Sequence, residues 1–63
     1  MANSGTIEFY AELKFEGKGA YLLTDGAEEL WIPKSQVIEM ENKGGGNYRF
    51  EIPEWLAIDK GVI

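Results

Sequence analysis

The chain has no cysteine and no histidine in its 63 residues. Without cysteine there are no disulfide staples and no thiolate nucleophile. Without either residue the usual zinc ligand sets are absent, and so is the commonest general base. Cysteine-free composition is compatible with a cytosolic protein. No apolar run approaches the roughly 20 residues of a membrane span, and the opening MANSGT lacks the basic and apolar regions of a signal peptide. Bases are scarce: six against eleven acids, for a net charge of −5. A sequence-independent grip on nucleic acid needs Lys and Arg to neutralise phosphates. The acidic balance therefore argues against direct nucleic-acid binding and favours a basic partner.

Catalytic chemistry has little to stand on. The two serines, Ser4 and Ser35, have no evident activating partner, and Lys34 beside Ser35 is an ordinary turn sequence. Eleven acids guarantee some close pair, so a carboxylate pair says nothing about acid–base catalysis. Neither GKG nor GGG lies in the GxxxxGK[ST] context of a phosphate-binding loop. The expectation is a non-enzyme with no catalytic residues, no cofactor and no metal.

What remains is a β-rich pattern in one domain, 1–63. Residues 1–5 are small and polar, expected to form a frayed tail. From Thr6 to Glu16 the chain alternates. Ile7, Phe9, Ala11, Leu13 and Phe15 fall on one face, and Glu8, Tyr10, Glu12, Lys14 and Glu16 on the other, as in a half-buried strand. Gly17-Lys18-Gly19 predicts a tight turn using positive φ. Ala20–Thr24 is a second strand, Asp25-Gly26 a type I′ hairpin signal that Ala27 lengthens, and 29–32 a third strand. Pro33 cannot donate a ladder hydrogen bond, so it ends that strand or marks an edge. Lys34-Ser35-Gln36 suits a single helical or 3₁₀ turn, after which the chain re-enters the sheet over 37–41, with Ile38 and Met40 on one face. NKGGGN, 42–47, predicts a mobile loop, and 48–52 a fifth strand with Tyr48, Phe50 and Ile52 inward. Residues 53–60 predict a short helix with Pro53 at its first position and Gly61 as a left-handed C-cap. Two turns do not stand alone, so Trp55, Leu56 and Ile58 are expected to pack on the sheet. The fold class expected is mainly β: a curled antiparallel meander of four to five strands with one short C-terminal helix. The proline-containing 3₁₀ turn resembles the corner of a small barrel of the Src-homology-3 type.

Two features are candidates for function. Trp31 is out of phase with Leu30 and Ile32, so it points to the opposite face, where Tyr10 and Tyr21 are possible stacking partners. It is either core or half-core, stacked there or lying under the helix, or an aromatic anchor at an interface, where Trp and Tyr are enriched. The acids form rows: Glu8, Glu12 and Glu16 on the first strand, Glu39 and Glu41 on the fourth. At about 3.4 Å per residue, Glu39 and Glu41 stand roughly 7 Å apart. Such rows are either a solvated outer face or a carboxylate surface fitted to a basic groove of another protein.

The segments EELWIPKSQV and FEIPEWLAIDKGVI resemble a pattern in short uncharacterised proteins of bacteriophages and prophages, in which W-[IL]-P-K-S-Q precedes a C-terminal P-E-W-L-A. Phage proteins of this size and acidity include inhibitors of host defence, anti-CRISPR proteins among them, some of which resemble DNA in charge. The resemblance implies a protein acting in the cytoplasm of an infected bacterium, occluding the basic surface of a host protein such as a CRISPR interference complex. No family motif assigns contact residues. Face and charge nominate Glu8, Glu12, Glu16, Glu39 and Glu41, with Trp31 or Tyr10 as an apolar anchor. The alternative is a small-barrel adaptor or single-stranded nucleic-acid module of phage replication or recombination. A chain this short buries only about 60% of its unfolded surface, so a homodimer would add stability.

Overall fold

The computed structural model describes residues 5–63. The frayed tail expected over 1–5 lies outside the described residues except for Gly5, whose carbonyl accepts a hydrogen bond from the Glu54 amide at 3.0 Å. Five antiparallel strands form one sheet: β1 (Thr6–Glu16), β2 (Ala20–Thr24), β3 (Glu29–Pro33), β4 (Glu39–Gly44) and β5 (Asn47–Pro53). One helix, α1 (Glu54–Asp59), follows. The mainly-β expectation holds. The spatial order is β3-β2-β1-β5-β4, so the meander runs only through the first three strands. The chain then crosses to the far side and returns, placing β5 beside β1.

That crossing requires a coiled sheet. Pro33 is level with Ala20 and so with Gly17, whereas Glu39 is level with Glu51 and so with Glu8. Along β1 these levels are separated by about 30 Å at roughly 3.3 Å per residue. The connection contains a 3₁₀ turn, Lys34–Gln36, which rises only about 2 Å per residue. From Pro33 to Glu39 the chain then reaches about 16 Å. A flat sheet cannot be connected this way. Coiling with a large stagger, as in small barrels, brings the end of β3 to the start of β4. The turn is tied at both ends: Lys34 N–H donates to Gly19 O at 2.9 Å and Val37 N–H to Lys34 O at 3.2 Å.

Coiling encloses the core. Leu23, Ile32, Phe50 and Ile52 are fully buried, with Ala11, Leu56 and Ala57 beside them. Phe9 stacks on Phe50 with ring centroids 5.6 Å apart. Only Leu56 and Ala57 of α1 face this core. Trp55 and Ile58, expected to pack on the sheet, are exposed, because Pro53 is the extended N-cap (φ −61°, ψ 147°) and not the first helical residue, which rotates the short helix relative to the sheet. Gly61 is a left-handed C-cap (φ 76°). Its amide donates to Ile58 O at 3.2 Å, and Val62 N–H reaches Ala57 O at 2.8 Å, the paired bonds that close a helix end.

Three local expectations are corrected. The Asp25-Gly26 connection has positive φ only at Gly26, so it is not type I′. It is a four-residue loop in which the Asp25 carboxylate accepts from the amides of Ala27 (2.9 Å) and Glu28 (3.0 Å). Gly17 and Gly19 are not in the positive-φ region either. Gly17 instead lies where a Cβ would sit 3.7 Å from the rings of Phe15 and Trp31. The stretch expected to be a mobile loop is β4 running on to Gly44, then a tight turn at Gly45 and Gly46, both at positive φ. The two central positive-φ residues a twisted hairpin needs are supplied there.

Phe50→Ala removes the largest fully buried side chain. The cost, about 3–5 kcal/mol, is comparable with the roughly 3–9 kcal/mol expected for a chain of this size. The variant should show a largely unfolded circular-dichroism spectrum at 37 °C, whereas Trp55→Ala should melt within a few degrees of the parent.

Candidate acidic face and its organising arginine

β1 contains a bulge. Glu12 pairs with Thr24 and Leu13 with Leu23, but Phe15 pairs with Leu22, so Lys14 is the extra residue. Residues directly opposite across strands share a face, and a one-residue slip exchanges faces. Ile7, Phe9, Ala11 and Leu13 point inward as expected. Beyond the bulge the phase reverses. Phe15 joins Leu22 and its partner Trp31 on the outer face, where Phe15 is 58% exposed and Trp31 47%. The two rings meet edge to face at 6.2 Å. Trp31 is therefore an outward aromatic, but its neighbour is Phe15. Tyr21 packs inward against Phe50.

The bulge also divides the candidate acids. Glu16 is opposite Tyr21, away from the other glutamates, and Lys34 binds its carboxylate at 2.6 Å. Glu8, Tyr10 and Glu12 remain together on the outer face of β1. In register with them lie Glu51 and Glu39 beside Glu8, and Arg49 and Glu41 beside Tyr10. The structure thus gathers Glu8, Glu12, Glu39, Glu41 and Tyr10, and separates Glu16 and Trp31 from them.

Glu8, Glu51 and Glu39 are directly opposite one another on three adjacent strands, a like-charge row that is destabilising by itself. Arg49, one register over, resolves it. Its guanidinium binds Glu8 (3.3 Å), Glu41 (3.0 Å) and Glu39. Thr6 Oγ1 donates to Glu51 at 2.6 Å, and Lys43 adds a second cation to Glu41 at 3.2 Å. Hydrogen bonds from Arg49, then from Lys43, hold the Glu41 carboxyl below its ordinary value, and the acids in turn raise Arg49 further above its own. The Arg49 side chain is only 13% exposed, while the glutamates around it are more than half exposed. Sequence reasoning placed Arg49 outward but did not single it out. The signal was there: it is the only arginine, on a strand whose two neighbours both carry outward glutamates.

Asp25 is also held below the usual carboxylate range, by the Glu28 amide first and the Ala27 amide second. Among the described residues no group of three or more acids is arranged to hold a metal ion. Among the described residues no helix is long and apolar enough to cross a membrane.

Arg49→Met keeps an aliphatic stem and removes the charge. The melting temperature should fall, most clearly at pH 7 and low salt. Glu41, with its folded pKa lowered, stabilises fully above its ordinary value of 4.5, and this is lost as pH falls through the lowered folded value. The difference between parent and variant should therefore close once the pH is below that lowered folded value. A difference that persists unchanged in acid would assign the role of Arg49 to its stem. Comparison of the chain with known protein families, curated proteins and solved structures finds no match.

Proposed function

We propose that this chain is a small non-catalytic binding protein that covers a basic surface of a partner with the outer face of its sheet. The observation carrying this reading is the convergence of Glu8, Glu12, Glu39, Glu41 and Glu51 on that one face in a chain of net charge −5. Arg49 offsets part of that charge, but it also fixes the rotamers of three carboxylates. Each gives one oxygen to the guanidinium and keeps the other for a partner. Ordering long side chains before association lowers the entropy cost of binding. Tyr10, 64% exposed among them, supplies an amphipathic anchor.

The finer reading rests on the sequence resemblance to phage proteins: an inhibitor acting in the cytoplasm of the infected bacterium, blocking the DNA-binding surface of a CRISPR interference complex in the manner of an acidic DNA mimic. The exposed Phe15–Trp31 pair favours a second reading, a platform on which single-stranded bases stack. The net charge of −5 weighs against it, since a strand's phosphates must be neutralised by Lys and Arg.

Competition distinguishes them. The protein should displace target duplex DNA from an interference complex, and the combined change Glu8→Gln, Glu12→Gln, Glu39→Gln should weaken displacement by about tenfold or more while the fold is retained. Displacement insensitive to these changes excludes the outer face, and no displacement at all excludes this partner. Salt-sensitive quenching of Trp31 by oligothymidine would establish the second reading.

A further inference from the structure

The two halves of β1 are paired on opposite sides. Thr6–Glu12 pair with β5, whereas β2 covers only Glu12–Glu16. In a strand successive peptide groups point to alternate sides. The Gly5 carbonyl and the Leu13 amide both bond toward the β5 side, to Glu54 N and Gly46 O. The odd-numbered peptide groups between them point the same way, and those of Glu8 and Tyr10 point to the side that β2 has left. Among the described residues no backbone partner meets them. This is an open sheet edge within the molecule, not at its margin.

The gap has room and a definite chemistry. On its outer side a hollow of about 420 Å³ is lined by Tyr10, Glu12, Thr24, Asp25 and Asn47. On its inner side a smaller one of about 160 Å³ is bounded by Phe9, Leu30, Glu28, Lys60 and Val62. Glu12, Asp25 and Glu28 have no ion-pair partner among the described residues. A strand laid on this edge would put alternate side chains outward, beside Glu8 and Glu12, and inward, toward Phe9, Leu30 and Val62.

From this we infer that the open edge of β1 accepts an extended segment of a partner protein as an added strand, with Lys or Arg at its outward positions and a small apolar residue at the inward one between. Main-chain bonds to Glu8 and Tyr10 supply affinity and the flanking side chains supply selectivity, as in strand addition generally. A second copy of this chain is the wrong occupant. Two-fold pairing centred on Glu8 sets carboxylate against carboxylate. The inference shares with the proposed function the basic character of the partner and the side chains of Glu8, Glu12 and Tyr10; what it adds is the open main-chain edge of β1, which the outer-face reading does not use.

The probe is the capped pentapeptide Lys-Val-Lys-Val-Lys, with Glu-Val-Glu-Val-Glu as control, followed by amide hydrogen exchange and chemical shifts in the intact protein. In the free protein the Glu8 and Tyr10 amides should exchange fast and those of Ile7, Phe9 and Ala11 slowly. The lysine peptide should slow exchange at Glu8 and Tyr10, and the glutamate peptide should not. Tyr10→Pro removes one donor without touching the β5 ladder, and should weaken binding about tenfold, whereas Tyr10→Ala should retain it. Glu39→Gln with Glu41→Gln should leave this binding unchanged, even where it abolishes capture of a basic surface by the outer face. Shifts confined to Arg49, Glu39 and Glu41, equal protection by both peptides, or no binding at about 5 mM would each overturn the edge assignment and leave the outer-face reading standing. Protection of Glu8 and Tyr10 by self-association at high concentration would overturn it in favour of a homodimer.

Discussion

β1 is hydrogen-bonded to β5 along its first half and to β2 along its second, with the bulge at Lys14 near the change of partner. Each hairpin attached to it is too small to stand alone, since two strands in water are marginal at best. Only their common strand lets them share a core. Tyr21 and Leu23 from one side and Phe50 and Ile52 from the other meet over Ala11 and Phe9. Ala11, small and only 7% exposed, lets the side chains from both hairpins close over β1. The tight Gly45–Gly46 turn belongs to the same device. Its carbonyl at Gly46 takes the Leu13 amide just before the bulge, so the β4–β5 hairpin tip extends the β1–β5 ladder beyond the start of β5 at Asn47.

Sharing one strand between two sheets' worth of partners fixes the charge pattern as well. Before the bulge the outer face is acidic, and after it the outer face is apolar, with Phe15, Leu22 and Trp31 in line. An acidic row across three strands is tolerable only with a cation in its midst. A lysine would offer a single point charge, whereas the guanidinium's five donors in a fixed plane let Arg49 reach Glu8, Glu39 and Glu41 at once. Its low exposure follows from being surrounded by the side chains it binds. The net effect is a surface that stays negative yet is internally ordered.

Much of this was legible in the residues. Period-two alternation located β1, and the inward set of β5 was read correctly because no bulge interrupts it. The strand-breaking Pro33 and a single helical turn after it were legible because proline's missing donor and the Lys-Ser-Gln composition act locally; that the turn is 3₁₀ comes from the structure. The position of β5 beside β1 was not, since alternation fixes a strand's faces and is silent on its neighbours. Nor was the bulge: Lys14 and Phe15 continue the pattern in sequence, and only pairing with Leu22 and Leu23 reveals the slip. That one slip accounts for the misassigned faces of Phe15 and Glu16. Val37 packs against the core while Ile38 is exposed, because the chain leaves the 3₁₀ turn before it takes up strand phase at Glu39. The helix misled for a related reason: with only six residues, its rotation is set by where Pro53 ends the strand.

An acidic exterior on so small a sheet serves two ends that are hard to separate by composition alone. Strand edges invite pairing with other copies, and charges placed along them are the common defence. Here β4 carries Glu39, Glu41 and Lys43, β3 begins at Glu29 and ends at Pro33, and the open half of β1 carries Glu8. The defence is nearly all of one sign. Mixed charges would repel apolar strands of every kind, but they would also leave a copy of the same chain free to find a complementary register. A single sign forbids that register to identical chains and leaves the edge open to basic ones. On the proposed function, the carboxylates that keep identical chains apart also select a basic partner, and what distinguishes a binding surface from a merely solvated one is the order imposed on it. On the outer face that order comes from Arg49, and on β1 it comes from peptide groups already held in line by β5.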